Sequence, residues 1–449
     1  MNRTYSHGLL AAALLLSLPA LLFAAAEQEA AEAAAPMAGP WTLAKAAKPY
    51  QGTTVKFMRH PGFGETWMRE MIAPFEEITG IKVEMEVIGT LESHRKRLVT
   101  WGAGNHPWDV HDVPDFWFIE YVKPGWLMEL NQFFENPNLY QPDFDWEDFS
   151  EFALKVNSYE GKLYTLPGRT NTDLYYYRTD LLSDSGLEPP VSWSDQVAAL
   201  QKLHRPDAEQ YGAGSAFTVD LAADNFISLL HRNGGAYLNS ANTEAAFNSA
   251  EGVEALDHMK QVLEHSAPGA LNYGWGEPAN LMAEGKVATM RNLIFFPSVL
   301  EDPEKSMVVG KMGYGRVTAA KESKHWVSTW ANALDAKTKV PEAAYLFIQF
   351  LYNKENLANF VEFTRGGILP GRVSLQTDPA LLGKYPHYGP AGDGIKVGWT
   401  RPQIEVHQTV WEAVGKEVQE ALLGRKSSAE ALADAETVVN EKLAEFHSR

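Results

Sequence analysis

There is no cysteine in the 449 residues. Disulfides, thiol catalysis, cysteine-based zinc sites and a lipid-anchoring cysteine behind an export signal are excluded together. Basic residues are in deficit: 39 Lys and Arg stand against 57 Asp and Glu, for a net charge of −18 at pH 7. A chain of that charge repels phosphate backbones, so no nucleic-acid partner is expected. The motifs G-x-S-x-G, H-E-x-x-H and G-x-x-x-x-G-K-[ST] do not occur, nor does G-x-G-x-x-G after a strand. Beyond the N-terminus no apolar run is long enough to span a bilayer. The 35 Gly and 25 Pro are dispersed, without a repeat period.

What remains is an ordinary globular composition, 45% hydrophobic and 21% charged. A single core stops growing at about 250–300 residues, so two lobes are expected. Met1 to Ala26 reads as a secretory signal: Arg3 is the positive end, Leu9 to Phe23 the apolar run, and Ala24-Ala25-Ala26 the cleavage site. Residues 27–48, rich in Ala and Glu, read as a flexible leader outside the core. Thr53–Met58 predicts a strand. Trp67, Met71, Phe75 and Ile78 give a helix face, with Pro74 as a kink and Gly80 as a stop. Ile81, Val83, Met85 and Val87 alternate as in a strand, completing a βαβ unit.

Further on, Phe152–Asn157 and Leu163–Leu166 are β-prone runs around a turn at Glu160-Gly161. Pro167 is expected to end the second run, Gly168 to Asn171 to form a polar joint, and Leu174 to Tyr177 to open another sheet. Ser192 predicts a helix N-cap, Pro341 a helix start, and Ser427 with Glu430 a capping box. Val406, Val410, Val414, Val418 and Leu422 form a helical stripe.

Three stretches in fixed order carry a resemblance: Phe75-Glu76-Glu77-Ile78-Thr79-Gly80-Ile81-Lys82-Val83, Gly161-Lys162-Leu163-Tyr164-Thr165-Leu166-Pro167, and Leu174-Tyr175-Tyr176-Tyr177-Arg178 running on to Pro189-Pro190-Val191-Ser192-Trp193. Together they resemble extracellular solute-binding proteins of ABC importers, nearest the carbohydrate-binding, maltose-binding-protein-like cluster. The resemblance extends from about Thr53 to Phe446. It implies an α/β, two-lobe periplasmic-binding-protein fold (type II-like), with discontinuous lobes, a hinge and a cleft. The implied boundaries are 49–168 with 327–368 for the N-terminal lobe and 169–326 with 369–449 for the C-terminal lobe. It also implies a periplasmic, monomeric, non-enzymatic receptor without a cofactor, which hands a carbohydrate ligand to a membrane permease.

A sugar needs planar donors and acceptors around its rim and a flat aromatic against its C–H face. The positions that the family pattern puts at the cleft, and whose chemistry suits a sugar, are as follows. Phe63, Glu65, Asp115 and Trp117 come from the first lobe, and Arg169 and Asn171 from the first crossing. The second lobe supplies Asp224, Trp275, Glu277, Arg291, Asn292 and Phe295. The later crossings supply Trp330, Gly367 and Arg372. Trp411 falls where the maltose-binding branch has a stacking tryptophan. Phe295 and Trp411 read equally well as core residues, Asp115 as a turn residue, and Arg169 and Arg372 as hinge ion-pair partners. Where the maltose branch carries a carboxylate this sequence has Asn171, which argues against maltodextrin as the ligand.

Two other clusters carry reactive side chains. His106, Asp109, His111 and Asp112 have metal-ligand chemistry but read better as a strand entry. Asp143, Asp145, Glu147, Asp148 and Glu151 offer carboxylate pairs for glycoside hydrolysis but read better as a solvated surface. A sugar-phosphate or other anion receptor, and a secreted glycan hydrolase, are the alternatives to a sugar receptor.

Overall fold

The structure, a computed structural model, describes residues 39–62 and 64–448. The Met1–Ala26 signal, the first part of the leader and Phe63 lie outside the described residues. Among these residues eleven strands succeed one another: β1 (Thr54–Arg59), β2 (Lys82–Val87), β3 (Val110–Pro114), β4 (Ser158–Tyr159), β5 (Lys162–Leu163), β6 (Thr165–Arg178), β7 (Tyr211–Gly214), β8 (Val287–Leu293), β9 (Met312–Gly315), β10 (Val327–Leu334) and β11 (Leu369–Pro370). Nine of them form one curled sheet in the order β2-β1-β3-β10-β6-β8-β7, with β9 and β11 also paired to β6.

β1, β2 and β3 are parallel, joined by the crossover helices Glu65–Thr79 and Thr90–Gly102. The first of these contains Pro74 and ends on Gly80 at φ 70°, as the sequence predicts. The capping boxes at Ser192 and Ser427 are both formed, and Pro341 opens the helix Pro341–Tyr352.

The crossing differs from its expectation. β6 is one continuous 14-residue strand. Its first half pairs with β10 and its second half with β8 and β9. Pro167 does not stop it, because the β6–β10 register shifts there: Arg169 faces Trp330, Pro167 faces Ala331, and Gly168 is the extra residue. A bulge is where a strand tolerates a missing N–H. A Cβ on Gly168 would sit 2.3 Å from the Tyr352 ring, so only glycine fits. The run Phe152–Asn157 is not a strand either. Ser150 accepts from the Ala153 N–H at 3.2 Å and starts the helix Glu151–Val156. The Glu160-Gly161 turn is present, both residues at positive φ between β4 and β5.

Two segment assignments are corrected. The end of the supposed leader belongs to the core: Thr42 caps the helix Leu43–Ala47, whose Ala46 and Ala47 are buried against the first lobe. Residues 372–385, expected in the second lobe, bond to the first: Arg372 and Ser374 to Asp148, Lys384 and Tyr385 to Glu362. The first lobe's interior holds Val55, Phe57, Phe75, Phe347 and Phe350. The second is built on Phe226, Phe247, Leu256, Trp411, Val414 and Leu432. Among the described residues no helix is long and apolar enough to cross a membrane.

Candidate functional site

The strands of the first lobe end at the crossing. β1 runs out at Arg59-His60, β3 at Pro114-Asp115, and β10 and β6 bring Trp330 and Arg169 beside them. Carboxyl ends of strands are where open α/β sheets place ligands. His60 lies over Trp330 at 3.9 Å between ring centroids, and the Arg169 guanidinium sits 5.2 Å from the same ring. Arg169 also approaches His60 Nε2 at 3.2 Å. Below them Asp112 is fully enclosed, 2.6 Å from His60 Nδ1 and 3.8 Å from Arg59 Nε. Burial pushes the Asp112 carboxyl up, but His60, Arg169 and Arg59 together outweigh it and hold the group below its usual range. Burial lowers His60 to about 4, so its ring is neutral at pH 7.

The second lobe presents a charged wall. Asp173, on β6 just past the crossing, accepts from Arg291 Nε at 2.7 Å, from Arg232, and from the Trp326 backbone N–H at 3.0 Å. Arg291 in turn donates to Asp224 at 2.7 Å and to Ser228 at 3.1 Å, with its guanidinium 5.4 Å from the Trp275 ring. Asn292 donates to the Trp275 carbonyl at 3.0 Å, fixing that loop. Burial pushes Asp173 up, but Arg291 and Arg232 hold it below the usual carboxylate range.

The two halves meet at residues 399–405. Thr400 donates to Asp115 Oδ2 at 2.9 Å, and the Gln403 side chain donates to the backbone carbonyls of Asp115 and Val156. Arg401 pairs with Asp224 at 3.3 Å while its guanidinium packs over Phe116 of the first lobe and Trp411 of the second. Phe116 lies 6.2 Å from Trp330. Burial raises the Asp115 carboxyl to about 6 despite the Thr400 hydrogen bond.

Several buried polar atoms along this surface close no well-formed hydrogen bond: Asn171 Oδ1, Arg401 Nε, and the neighbouring Asp115 Oδ1 and Ser328 Oγ. Buried polar groups are normally satisfied, so each of these atoms calls for a further partner.

Of the expected site residues, Arg169, Asn171, Asp115 and Trp330 gather at the crossing, and Asp224, Trp275, Arg291 and Asn292 on the facing wall. Phe295 is half-buried and packs against both cores. Trp117 stacks on His94 at 4.3 Å within the first lobe. Trp411 is core, with Arg401 covering its ring. Gly367 is buried in the turn after Thr364, its N–H donating to the Thr364 carbonyl. Three residues are used elsewhere. Arg372 is fully buried and donates to the carbonyls of Phe144, Asp145 and Tyr352, so it pins the chain and does not face a ligand. Glu277 is exposed and accepts from the Gly274 N–H. Glu65 pairs with Arg69 on its own helix. His60 and Arg401 were not anticipated. The strand-end rule points to the first. Nothing in the loop sequence singles out the second.

The metal-like cluster is dispersed: His106 and His111 turn to Asp335, Asp109 caps Thr338, and Asp112 faces His60. Among the described residues no three His, Cys, Asp or Glu converge to hold a metal ion.

Two lobes joined by one shared strand, with polar residues of both converging on the joint, define a two-lobe binding protein. The chain belongs to the bacterial extracellular solute-binding protein family, whose model matches residues 60–358. The mannitol-binding protein of Pseudomonas aeruginosa is 28% identical over 320 residues, covering 66% of this chain and 72% of that one. The erythritol/L-threitol-binding protein of Mycolicibacterium smegmatis is 21% identical over 336 residues, 71% and 69% of the two chains. An ABC transporter solute-binding protein from Agrobacterium radiobacter in complex with ribitol superposes with a TM-score of 0.80 at 24% identity, covering 88% of this chain and all of that one. Maltose-bound MalE3 of T. maritima gives 0.78 at 19% identity over the same shares. These relatives are binding proteins, not enzymes.

Proposed function

We propose that this protein is an extracytoplasmic receptor that encloses a small polyol or monosaccharide between its lobes and delivers it, as a monomer, to the permease of an ABC transporter. The observation that carries this reading is the polar lining that both lobes bring to the crossing: Arg169 against the Trp330 ring, with Asn171 Oδ1, Asp115 Oδ1 and Arg401 Nε buried and closing no well-formed hydrogen bond. A short polyhydroxylated molecule supplies both the missing partners and a C–H face for the ring. The mannitol- and erythritol-binding relatives support the same class of ligand. Export by residues 1–26 is consistent with the family's extracellular setting.

Charge argues against the anionic alternative. Five guanidinia border the site (Arg59, Arg169, Arg232, Arg291, Arg401) and five carboxylates face them (Asp112, Asp115, Asp173, Asp220, Asp224). No net positive charge is left for a phosphate to neutralise, and a neutral ligand matches. The test is a thermal-shift screen of mannitol, ribitol, erythritol, glucose, maltose and a hexose phosphate, since a ligand that prefers the folded state raises Tm by mass action. A shift with alditols or monosaccharides and none with the phosphate supports the reading. A shift with the phosphate alone contradicts it.

A further inference from the structure

The loop leading to the helix His407–Leu422 carries a guanidinium that touches both lobes, Arg401. Arg401 is 6% exposed. Its guanidinium carbon lies 4.7 Å from the centroid of Phe116, 4.3 Å from that of Trp411 and 5.5 Å from that of Trp326. One terminal nitrogen is held by Asp224 at 3.3 Å. Nε closes no hydrogen bond although it is buried. Next to it, Thr400 holds Oδ2 of Asp115; Oδ1 of that carboxylate closes no well-formed hydrogen bond, with the Ser328 hydroxyl and the Thr329 N–H as its neighbours. An enclosed donor and an enclosed acceptor, carried by partners in electrostatic contact, suit one kind of neutral group. A hydroxyl donates and accepts at once.

We propose that Arg401 is a ligand-contacting residue that sets the size of the ligand. Its Nε–H donates to a hydroxyl of the bound molecule. Its guanidinium plane, lying across Trp411, denies that ring to a second sugar unit. Trp330 is then the aromatic platform left at the crossing, and the site takes one short polyhydroxylated molecule, with no room on the Trp411 side for an oligosaccharide. The placement is enforced from behind: Arg291 holds Asp224, Asp173 holds Arg291, and Asp224 orients Arg401. This assignment rests on the polyol or monosaccharide reading given above.

The experiment is calorimetric titration of the full exported chain with ribitol, mannitol, maltose and maltotriose. The proteins are wild type, Arg401→Ala and Arg401→Gln, each checked by circular dichroism and melting. Wild type should bind an alditol and give no heat with maltotriose. Arg401→Ala should weaken the alditol at least 30-fold and bring the affinity for maltose relative to the alditol up at least tenfold. Arg401→Gln keeps a flat polar group over Trp411, so it should lie between the two and serves as the reading variant if the alanine fails to fold. Alditol affinity in both Arg401 variants within threefold of wild type, or an equal loss for every ligand, overturns the role of Arg401 while leaving the receptor reading intact. No wild-type heat with any of the four ligands overturns both.

Discussion

Asp173 Oδ2 takes the Nε–H of Arg291 at 2.7 Å, and the same oxygen also holds Arg232. Through this carboxylate the shared strand β6 grips the second-lobe wall one residue beyond the crossing. Arg232 and Arg291 are both enclosed, so Asp173 is their main compensation for lost hydration. Removing one partner of a buried ion pair leaves an uncompensated charge, which costs about 3–5 kcal/mol. Asp173→Ala is therefore expected to lower unfolding free energy by about that amount in urea titration. A loss under about 1 kcal/mol would mean that water already solvates the pair.

Trp330 should behave differently. It is half-buried, and its ring is covered by His60 on one side and approached by Arg169. Trp330→Ala is expected to weaken ligand binding by about 1–3 kcal/mol, the range for a lost aromatic anchor. Titration of the ligand found in the screen measures it. Unchanged affinity together with a large drop in Tm would assign the ring to structure alone.

Asp115 links the site to pH. Its folded-state carboxyl is raised to about 6, chiefly by burial, against an ordinary value of 3.8. The folded state thus holds the proton more tightly than the unfolded one. Stability from this group is fully present below the unfolded value, falls as pH rises between the two, and stays low above about 6. Each unit is worth about 1.4 kcal/mol, so the whole effect is about 3 kcal/mol at most. Asp115→Asn should therefore melt higher than wild type at pH 7.5, with the gain shrinking toward pH 4. Equal gains at both pH values would mean that the carboxyl titrates normally.

The helices Val219–Arg232 and His407–Leu422 cross closely at Gly415. A Cβ there would stand 2.0 Å from the Val219 carbonyl oxygen, a backbone atom that cannot swing away. Gly415→Ala should cost about 1–3 kcal/mol by forcing the helices apart, read as a lower urea midpoint. A neutral result would show that this interface is loosely packed.

Much of this was legible in the sequence because local signals and tertiary packing agree. The βαβ unit, the Gly80 stop, the Ser192 and Ser427 caps and the valine stripe each appear where their residues indicate. The failures came where long-range contacts decide. Phe152–Asn157 looks β-prone, yet the Ser150 cap and burial of Ala153 and Val156 make it a helix. Pro167 ends a strand in isolation, but a bulge opposite Trp330 removes its cost. Arg372 has the chemistry of a ligand donor, and only the fold shows its donors taken by three backbone carbonyls. Arg401 lies in a loop with no periodicity to read, so its place between Phe116 and Trp411 emerges only from the contacts.

The central claim is that ligand lies between the lobes at the crossing. A crystal structure with the alditol that gives the largest thermal shift tests it most directly. The account predicts density against the Trp330 ring, with hydroxyls within about 3 Å of Asp115 Oδ1 and Arg401 Nε, the ordinary hydrogen-bond distance. Density confined to the second lobe, in the interior cavity lined by Tyr175, Gln196, His258 and Thr318, would contradict it.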